Sequence, residues 1–339
     1  MFLHEYLDRK KLDSYVAKGI VTCKPHPTLP LNILCYGRKA VYDNIWDDVT
    51  CRTRGLIYDA NTELIIARPF EKFFNYETEG RKETYGRNVE SVEKEFGPPV
   101  IQEKVNGSLG IFWKYGIHWG VSSKGSFQSD HAKFATKWLE DHVEEYGKLV
   151  FPEGYTPVFE IICQEVQEHV IKYPQDGLAL LALVNKETGE ELSQHELTHY
   201  SLRNGIHKPR VFWSNLDYAL SQDSSDFEGY VATYNRPGTT PLKLKIKFLT
   251  YLENRKKFYA ELEAKKLQQL IGTQEPLYKE IFEKVSSIVK EALEVCTTRK
   301  EFAQFFLEGE RKQYASICWA LVDERDYKTE IWKMIGRAN

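Results

Sequence analysis

The sequence predicts an α+β domain followed by a smaller all-helical one. Two observations carry this. Up to about residue 248, short apolar runs of period two, bounded by Gly, Pro, Asn and Asp, are interrupted by helical segments. From residue 249 onward every segment has helical period, with short Gly, Pro or Thr breaks between them. The boundary is therefore placed at 249/250, giving an α+β domain over 1–249 and a helical domain over 250–339.

Taken in order, "TRGLIYD" and "LIIAR" flank Asp59, Asn61 and Thr62 and read as a hairpin. "VIQEKV", "SLGIFWKYG" and "IHWGVSS" are three strand-like runs separated by turn residues. The stretch from Gln128 to Tyr146 puts Phe134, Trp138 and Val143 on one helical face. "PVFEIIC", "GLALLALV", "EGYVATY" and "LKLKIKF" are further strands, with a helix between the second and third. Four helical segments follow, starting at Thr250, Pro276, Arg299 and Arg311.

Bulk properties exclude several classes. A net charge of −3 means that any nucleic-acid contact must use a local basic patch. The six cysteines contain no C-x-x-C pair, which argues against a zinc ribbon or disulfide framework and fits a reducing compartment. The first residues, "MFLHEYLDRKK", lack the apolar core of a signal peptide, and no run has the length of a membrane span. A cytoplasmic protein is expected.

Individual motifs are ambiguous. "HELTH" (His195–His199) matches the H-E-x-x-H zinc pattern, but Ser193 and Glu196 have the spacing of a helix capping box, and a capped surface helix is the better reading. "RPFEKFFNYE" reads alone as an edge strand, and "SSKGSF" as a hairpin exit. Lys104 and Gly107, in "QEKVNGSLGIFW", read alone as a turn between strands. Lys243, Lys245 and Lys247 share one strand face, where an anion would explain them better than solvent alone. Glu160 lies inside an apolar run and needs a partner or exposure. Glu228 opens "EGYVA".

Their order is more telling: a lysine with glycine three residues on, a strand-borne glutamate, an E-G-aliphatic strand start, then a K-x-K strand. Together with "CRTRGLIYD", "ARPFEKFFN", "SSKGS" and "LALLALVNKETGEEL", this resembles the RNA ligase 1 family of T-even bacteriophages over roughly residues 30–250. The resemblance implies a nucleotidyltransferase (adenylyltransferase) domain with antiparallel sheets and flanking helices. It also implies ATP-dependent joining of RNA 5′-phosphate and 3′-hydroxyl ends through lysyl-AMP and RNA-adenylate, with Mg²⁺ or Mn²⁺. Lys104 takes the place of the family's nucleophile, and Lys245 and Lys247 match the pair at the α-phosphate. Arg54, Lys72, Phe74, Gly107 and Lys124 match nucleotide-binding positions, with Gly107 allowing close backbone approach. Glu160 and Glu228 match positions that contact ribose or hold hydrated metal.

Asn106 stands where phage members carry aspartate, and the resulting K-x-N-G resembles fungal and plant tRNA ligases. The amide keeps an oxygen acceptor without the charge. His169 stands near an arginine of the phage pattern. The resemblance implies repair of broken RNA, tRNA among the substrates, with the helical segment choosing the RNA. The chain has no G-x-x-x-x-G-K-[ST] loop, so it is not expected to phosphorylate ends itself, and whether a separate kinase-phosphatase prepares them is left open by the sequence. Three alternatives share the scaffold: a capping guanylyltransferase, a DNA ligase and a catalytically silent RNA-end-binding protein. The first two are expected to carry an OB-fold rather than helices after the lysine domain, and Leu109 stands where DNA ligases have arginine.

Overall fold

The computed structural model describes residues 1–76, 89–166, 170–271 and 276–323, and positions 327, 330, 331 and 334. These fall into two compact units, Met1–Lys256 and Lys257–Asn339. The first is a mixed α+β unit and the second is helical among its described residues.

The strands of the first unit are β1 (Val21–Pro25), β2 (Leu31–Tyr36), β3 (Arg54–Asp59), β4 (Ile65–Ala67), β5 (Phe74–Asn75), β6 (Val100–Glu103) and β7 (Ser108–Tyr115). They continue with β8 (His118–Ser123), β9 (Tyr155–Ile162), β10 (Gly177–Asn185), β11 (Val211–Phe212), β12 (Gly229–Tyr234) and β13 (Leu242–Lys247). Three sheets result, in the orders β1-β2-β3-β4, β10-β9-β7-β8 and β11-β6-β12-β13-β5. Pairing is antiparallel except between β13 and β5, which run parallel at Leu244–Phe74 and Lys245–Asn75.

Alternation explains which faces pack. In the five-stranded sheet Ile101, Tyr230, Ala232, Leu242, Leu244 and Ile246 point into one apolar cluster. Gln102, Lys243, Lys245 and Lys247 occupy the intervening positions and take the opposite face. That face meets the β10-β9-β7-β8 sheet through Phe70, Phe73, Val158, Ala182 and Val184, with Val231 packed against them. The first sheet packs on β7 through Ile33, Ile57, Ile111 and Trp113. Burying each such side chain contributes roughly 1.5–3 kcal/mol.

The β3–β4 hairpin forms where Asp59 Oδ1 accepts from the backbone N–H groups of Asn61 (2.8 Å) and Thr62 (3.1 Å). The helix expected around Gln128–Tyr146 spans Asp130–Tyr146, capped by Ser129. Its buried face centres on Ala132, Ala135, Leu139 and His142, with Phe134 and Trp138 packed at the margin. The segment before residue 53, where the sequence pattern marks no elements, holds β1, β2 and four short helices. Those helices have four to nine residues, and the capping at Asp8 and Asp47 fixes two of them better than apolar period does.

A long helix, Leu249–Ile271, contains both the expected boundary at 249/250 and the observed division at 256/257. Its first turns belong to the α+β unit because Tyr251 is buried in the cluster of the five-stranded sheet. The second unit has its own core, in which Phe282, Val285 and Val289 meet Phe306, Ile317, Cys318 and Leu321.

Candidate active site

Lys104 follows directly on β6 and its backbone N–H donates to Gly229 O at 2.8 Å. Gly229 has φ +141°, and a Cβ there would lie 2.0 Å from Ile246 O. Only glycine lets β12 begin this tightly against β13, and the tight start carries Glu228 beneath two lysines. Glu228 is 3% exposed. Its Oε2 accepts from Lys104 Nζ at 2.7 Å and its Oε1 from Lys247 Nζ at 2.7 Å. Burial pushes its carboxyl upward, but Lys104 and Lys247 outweigh this and hold it at about 2.

Asn106 completes this group. Its Nδ2 donates to Glu228 Oε2 (3.2 Å) and to Tyr251 Oη (3.1 Å). Its backbone N–H donates to Tyr173 Oη at 2.7 Å. Asn106 Oδ1 is buried without a hydrogen-bond partner.

Above the pair opens a cavity of about 520 Å³. Arg54, Lys104, Gly107, Lys124, Glu160 and Lys245 supply its polar wall, and Phe70, Phe73, Leu109, Leu181 and Val231 its apolar one. Arg54 Nη1 is buried without a hydrogen-bond partner. The ring of Phe73 lies between two cations, Arg54 Cζ at 5.2 Å and Lys245 Nζ at 4.6 Å from its centroid. Burial, then Arg54, Lys72, Lys104 and Lys247, drive Lys245 well below the ordinary lysine range. Glu160 is raised to about 7, chiefly by burial and against the pull of Lys104.

A second cation group adjoins this wall. Lys72 Nζ sits over the rings of Tyr36 (5.6 Å), Trp46 (5.0 Å) and Phe74 (5.1 Å). Lys124 Nζ donates to Tyr36 Oη at 3.4 Å. Burial alone would raise the Tyr36 hydroxyl, yet Lys124, Arg54 and Lys72 together lower it.

The structure thus gathers nine of the residues singled out in the sequence, in two tiers. Arg54, Lys104, Gly107, Lys124, Glu160 and Lys245 line the cavity, while Asn106, Glu228 and Lys247 form the pair beneath it. Lys72 reaches the site through Tyr36, and Phe74 is buried against Trp46, whereas Phe73 faces the cavity. Gly107, besides lining the cavity, packs closely on β9: a Cβ there would meet Ile161 O at 2.4 Å, so its absence lets the turn lie on that strand. Lys243 is neutralised by Glu191 at 2.8 Å, which accounts for one of the three lysines without an external anion. "HELTH" lies on the helix Gln194–Asn204 with the Ser193–Glu196 capping box formed. His169 lies outside the described residues.

Tyr36, Trp46, Phe73, Gln102, Tyr173 and Tyr251 were not legible as site residues. Only Phe73 and Gln102 carry a signal in hindsight, through proximity to Lys72 and through period-two placement with Lys104.

A sequence model of the RNA ligase family matches residues 52–310. The chain belongs to the RNA ligase family. It is 27% identical over 208 residues to a predicted RNA ligase of Thermovibrio ammonificans, covering 57% of this chain and 50% of the relative. Against RNA ligase 1 of bacteriophage TS2126 it is 27% identical over 188 residues, covering 53% and 47%. The chain thus spans about half the length of the curated RNA ligase relatives it matches. Among solved structures, a variant of Naegleria gruberi RNA ligase with ATP and Mn shares 14% identity over 50% of this chain and 54% of that one, with a TM-score of 0.38. Among the described residues no helix is long and apolar enough to cross a membrane.

Proposed function

We propose that this RNA ligase family member joins RNA 5′-phosphate and 3′-hydroxyl ends at the expense of ATP, with Lys104 as the AMP acceptor. The observation that carries the reading is the placement of one amine, Lys104, between a buried carboxylate and a cavity walled by cations. A cavity of about 520 Å³ is of small-ligand size. Buried Arg54 Nη1 lacks a partner and Lys245 is a strongly desolvated amine, so an anion in the cavity answers both.

In the first step Lys104 Nζ forms a bond to the α-phosphorus and pyrophosphate leaves. The amine must be neutral to attack, so its proton and its pairing with Glu228 have to be given up. Lys245, held toward its neutral form, is suited to take up a proton as phosphate charge arrives, and as an ammonium it stabilises the charge developing there. Lys247 remains on Glu228 and keeps that carboxylate compensated. Arg54 and Lys124 face the same cavity and would hold the leaving phosphates, with Lys72 adding charge from behind Tyr36. AMP then passes to the RNA 5′-phosphate, and attack by the 3′-hydroxyl releases it.

The residues also fit a hydrated divalent ion such as Mg²⁺. Among the described residues no three His, Cys, Asp or Glu side chains gather into a cage. A magnesium ion that keeps most of its water needs only one or two protein oxygens beside substrate phosphates. Glu160 and the unpartnered Asn106 Oδ1 would supply them, whereas both oxygens of Glu228 are engaged by lysines. When bound, such an ion neutralises phosphate charge.

The helical unit is assigned to RNA selection, with broken tRNA as the substrate class. Truncation after Lys256 keeps Tyr251 on Asn106 and should spare adenylation while weakening ligation of a nicked anticodon stem-loop. The deciding substrate test compares 5′-phosphate, 3′-hydroxyl RNA with the matching DNA. Joining of the RNA is expected, and failure to join any RNA by a protein that forms the adduct would overturn the assignment.

A further inference from the structure

β1 lies at one edge of the first sheet, and its two faces differ. Val21 and Cys23 turn toward the apolar cluster on one side. The even positions take the other side, where His26, just past the strand, packs edge-on against Trp113 and Phe127. Lys24 belongs to that second face and is exposed.

Three cations line up across this face. The register sets Thr22 opposite Cys35 and Cys35 opposite Arg54. Lys24 stands two residues along from Thr22. The turn at Lys124 and Gly125 lies over the middle of the row, since a Cβ on Gly125 would be 3.4 Å from Cys35 Cβ. Burial pushes the Cys35 thiol up, and the field opposing it comes from Lys124, Arg54 and Lys24. The three run outward in order of exposure. Arg54 Nη1 is buried, Lys124 is half-buried in the cavity wall and Lys24 stands in solvent.

None of the three has an ion pair to a carboxylate among the described residues. Elsewhere on the surface Lys11 lies 3.0 Å from Asp47 and Lys137 lies 2.5 Å from Asp141. Like charges left unbalanced repel, so a row of them leading out of a cavity fits a polyanion laid along it. The net charge of −3 makes such a local row necessary for any nucleic-acid contact.

We propose that Lys24 holds the backbone of the RNA strand whose 5′-phosphate enters the cavity, at a phosphodiester behind that end. The assignment rests on the RNA-joining reading and adds the path of the strand. It leaves the cavity over the turn closed by Ser123 and Ser126 and crosses β1 at Lys24. Lys24 lies outside the cavity lining and takes no part in bond making.

The test compares the wild type with Lys24→Gln and with Lys148→Gln. Lys148 is another exposed lysine, beyond the far end of the helix whose first turn borders the cavity. Binding of a 5′-phosphorylated dinucleotide and a 5′-phosphorylated octanucleotide of RNA is measured over a range of salt, alongside labelling of Lys104 by ATP. Lys24→Gln should weaken the octanucleotide roughly fivefold at about 0.1 M salt and reduce the slope of log K on log salt by about 0.7. Dinucleotide binding, Lys104 labelling and the melting temperature should stay at wild-type values, and Lys148→Gln should change none of these. Unchanged octanucleotide binding in Lys24→Gln would overturn the proposal and leave the Lys104 reading intact. An equal loss in Lys148→Gln, or a loss as large for the dinucleotide, would do the same. A Lys24-dependent grip on the octanucleotide by a protein that takes no label on Lys104 would keep the docking surface and overturn the joining reading.

Discussion

The two groups of basic residues in the site differ in how their charge is met. Lys104 and Lys247 share one buried carboxylate at 2.7 Å each, and Asn106 steadies that carboxylate with an amide hydrogen. Arg54, Lys124 and Lys245 face the cavity with no ion pair to a carboxylate among the described residues, and Lys245 is pushed toward its neutral form. The first group is a finished piece of structure. The second is a set of cations that share the cavity with one carboxylate, Glu160, without an ion pair to it. The lesson is that one strand, β13, serves both: Lys247 is paired with Glu228, and Lys245 faces the cavity, where the proposed function puts a phosphate.

The sharpest way to break this contrast is to remove Lys245. Lys245→Met should reduce Lys104 labelling by about 10²–10³-fold, the usual cost of losing one charge-stabilising donor. Its melting temperature should stay level or rise, because a desolvated cation is replaced by an apolar chain. A large fall in stability would show that Lys245 belongs to the paired group.

Glu228→Gln tests the other side. Removing the carboxylate leaves two buried lysines uncompensated and should cost about 3–5 kcal/mol at pH 7 in denaturant unfolding. The sign with pH follows from the depressed carboxyl, at about 2 against the ordinary 4.5. Its stabilisation is complete above the unfolded value and is lost as pH falls through 2, so the gap between wild type and variant should close over that interval.

Glu160 gives the opposite sign and a smaller effect. Its carboxyl is raised from 4.5 to about 7, so its favourable contribution exists below 4.5 and disappears as pH rises through 7. Glu160→Gln should therefore be more stable than the wild type at pH 8, by up to about 3 kcal/mol, and equal to it near pH 4. Unfolding curves at those two pH values check it.

Asn106→Asp should have the smallest effect, a loss of about 1–2 kcal/mol at pH 7 measured by denaturant unfolding. It replaces an amide that donates to Glu228 and Tyr251 with a second carboxylate beside the first. No loss would mean that the amide plays no part in positioning Glu228.

The order of motifs singled out the candidate site residues before any coordinates, because Glu160 and Lys245 lie within strands whose alternation can be read directly and Lys104 and Glu228 lie directly at strand ends. The site's aromatic surround was not legible. Tyr36 and Trp46 reach Lys72 from β2 and the short segment after it, and Tyr251 reaches Asn106 from a helix far along the chain. Such contacts depend on how three sheets close on one another, which local period does not encode. The same holds for Gly107, whose need for a small residue comes from the β9 backbone across the turn. The parallel pairing of β5 with β13 escaped notice for a simpler reason, since two residues are too few to show a pattern.

The central claim is that Lys104 accepts AMP, and one labelling experiment tests it most directly. The folded chain is incubated with α-labelled ATP and Mg²⁺, resolved on a denaturing gel and mapped by peptide mass. The account predicts a covalent, alkali-stable and acid-labile AMP adduct on Lys104 that is absent from Lys104→Met. A folded protein that binds ATP and takes up no label, or one whose label survives Lys104→Met, would contradict it.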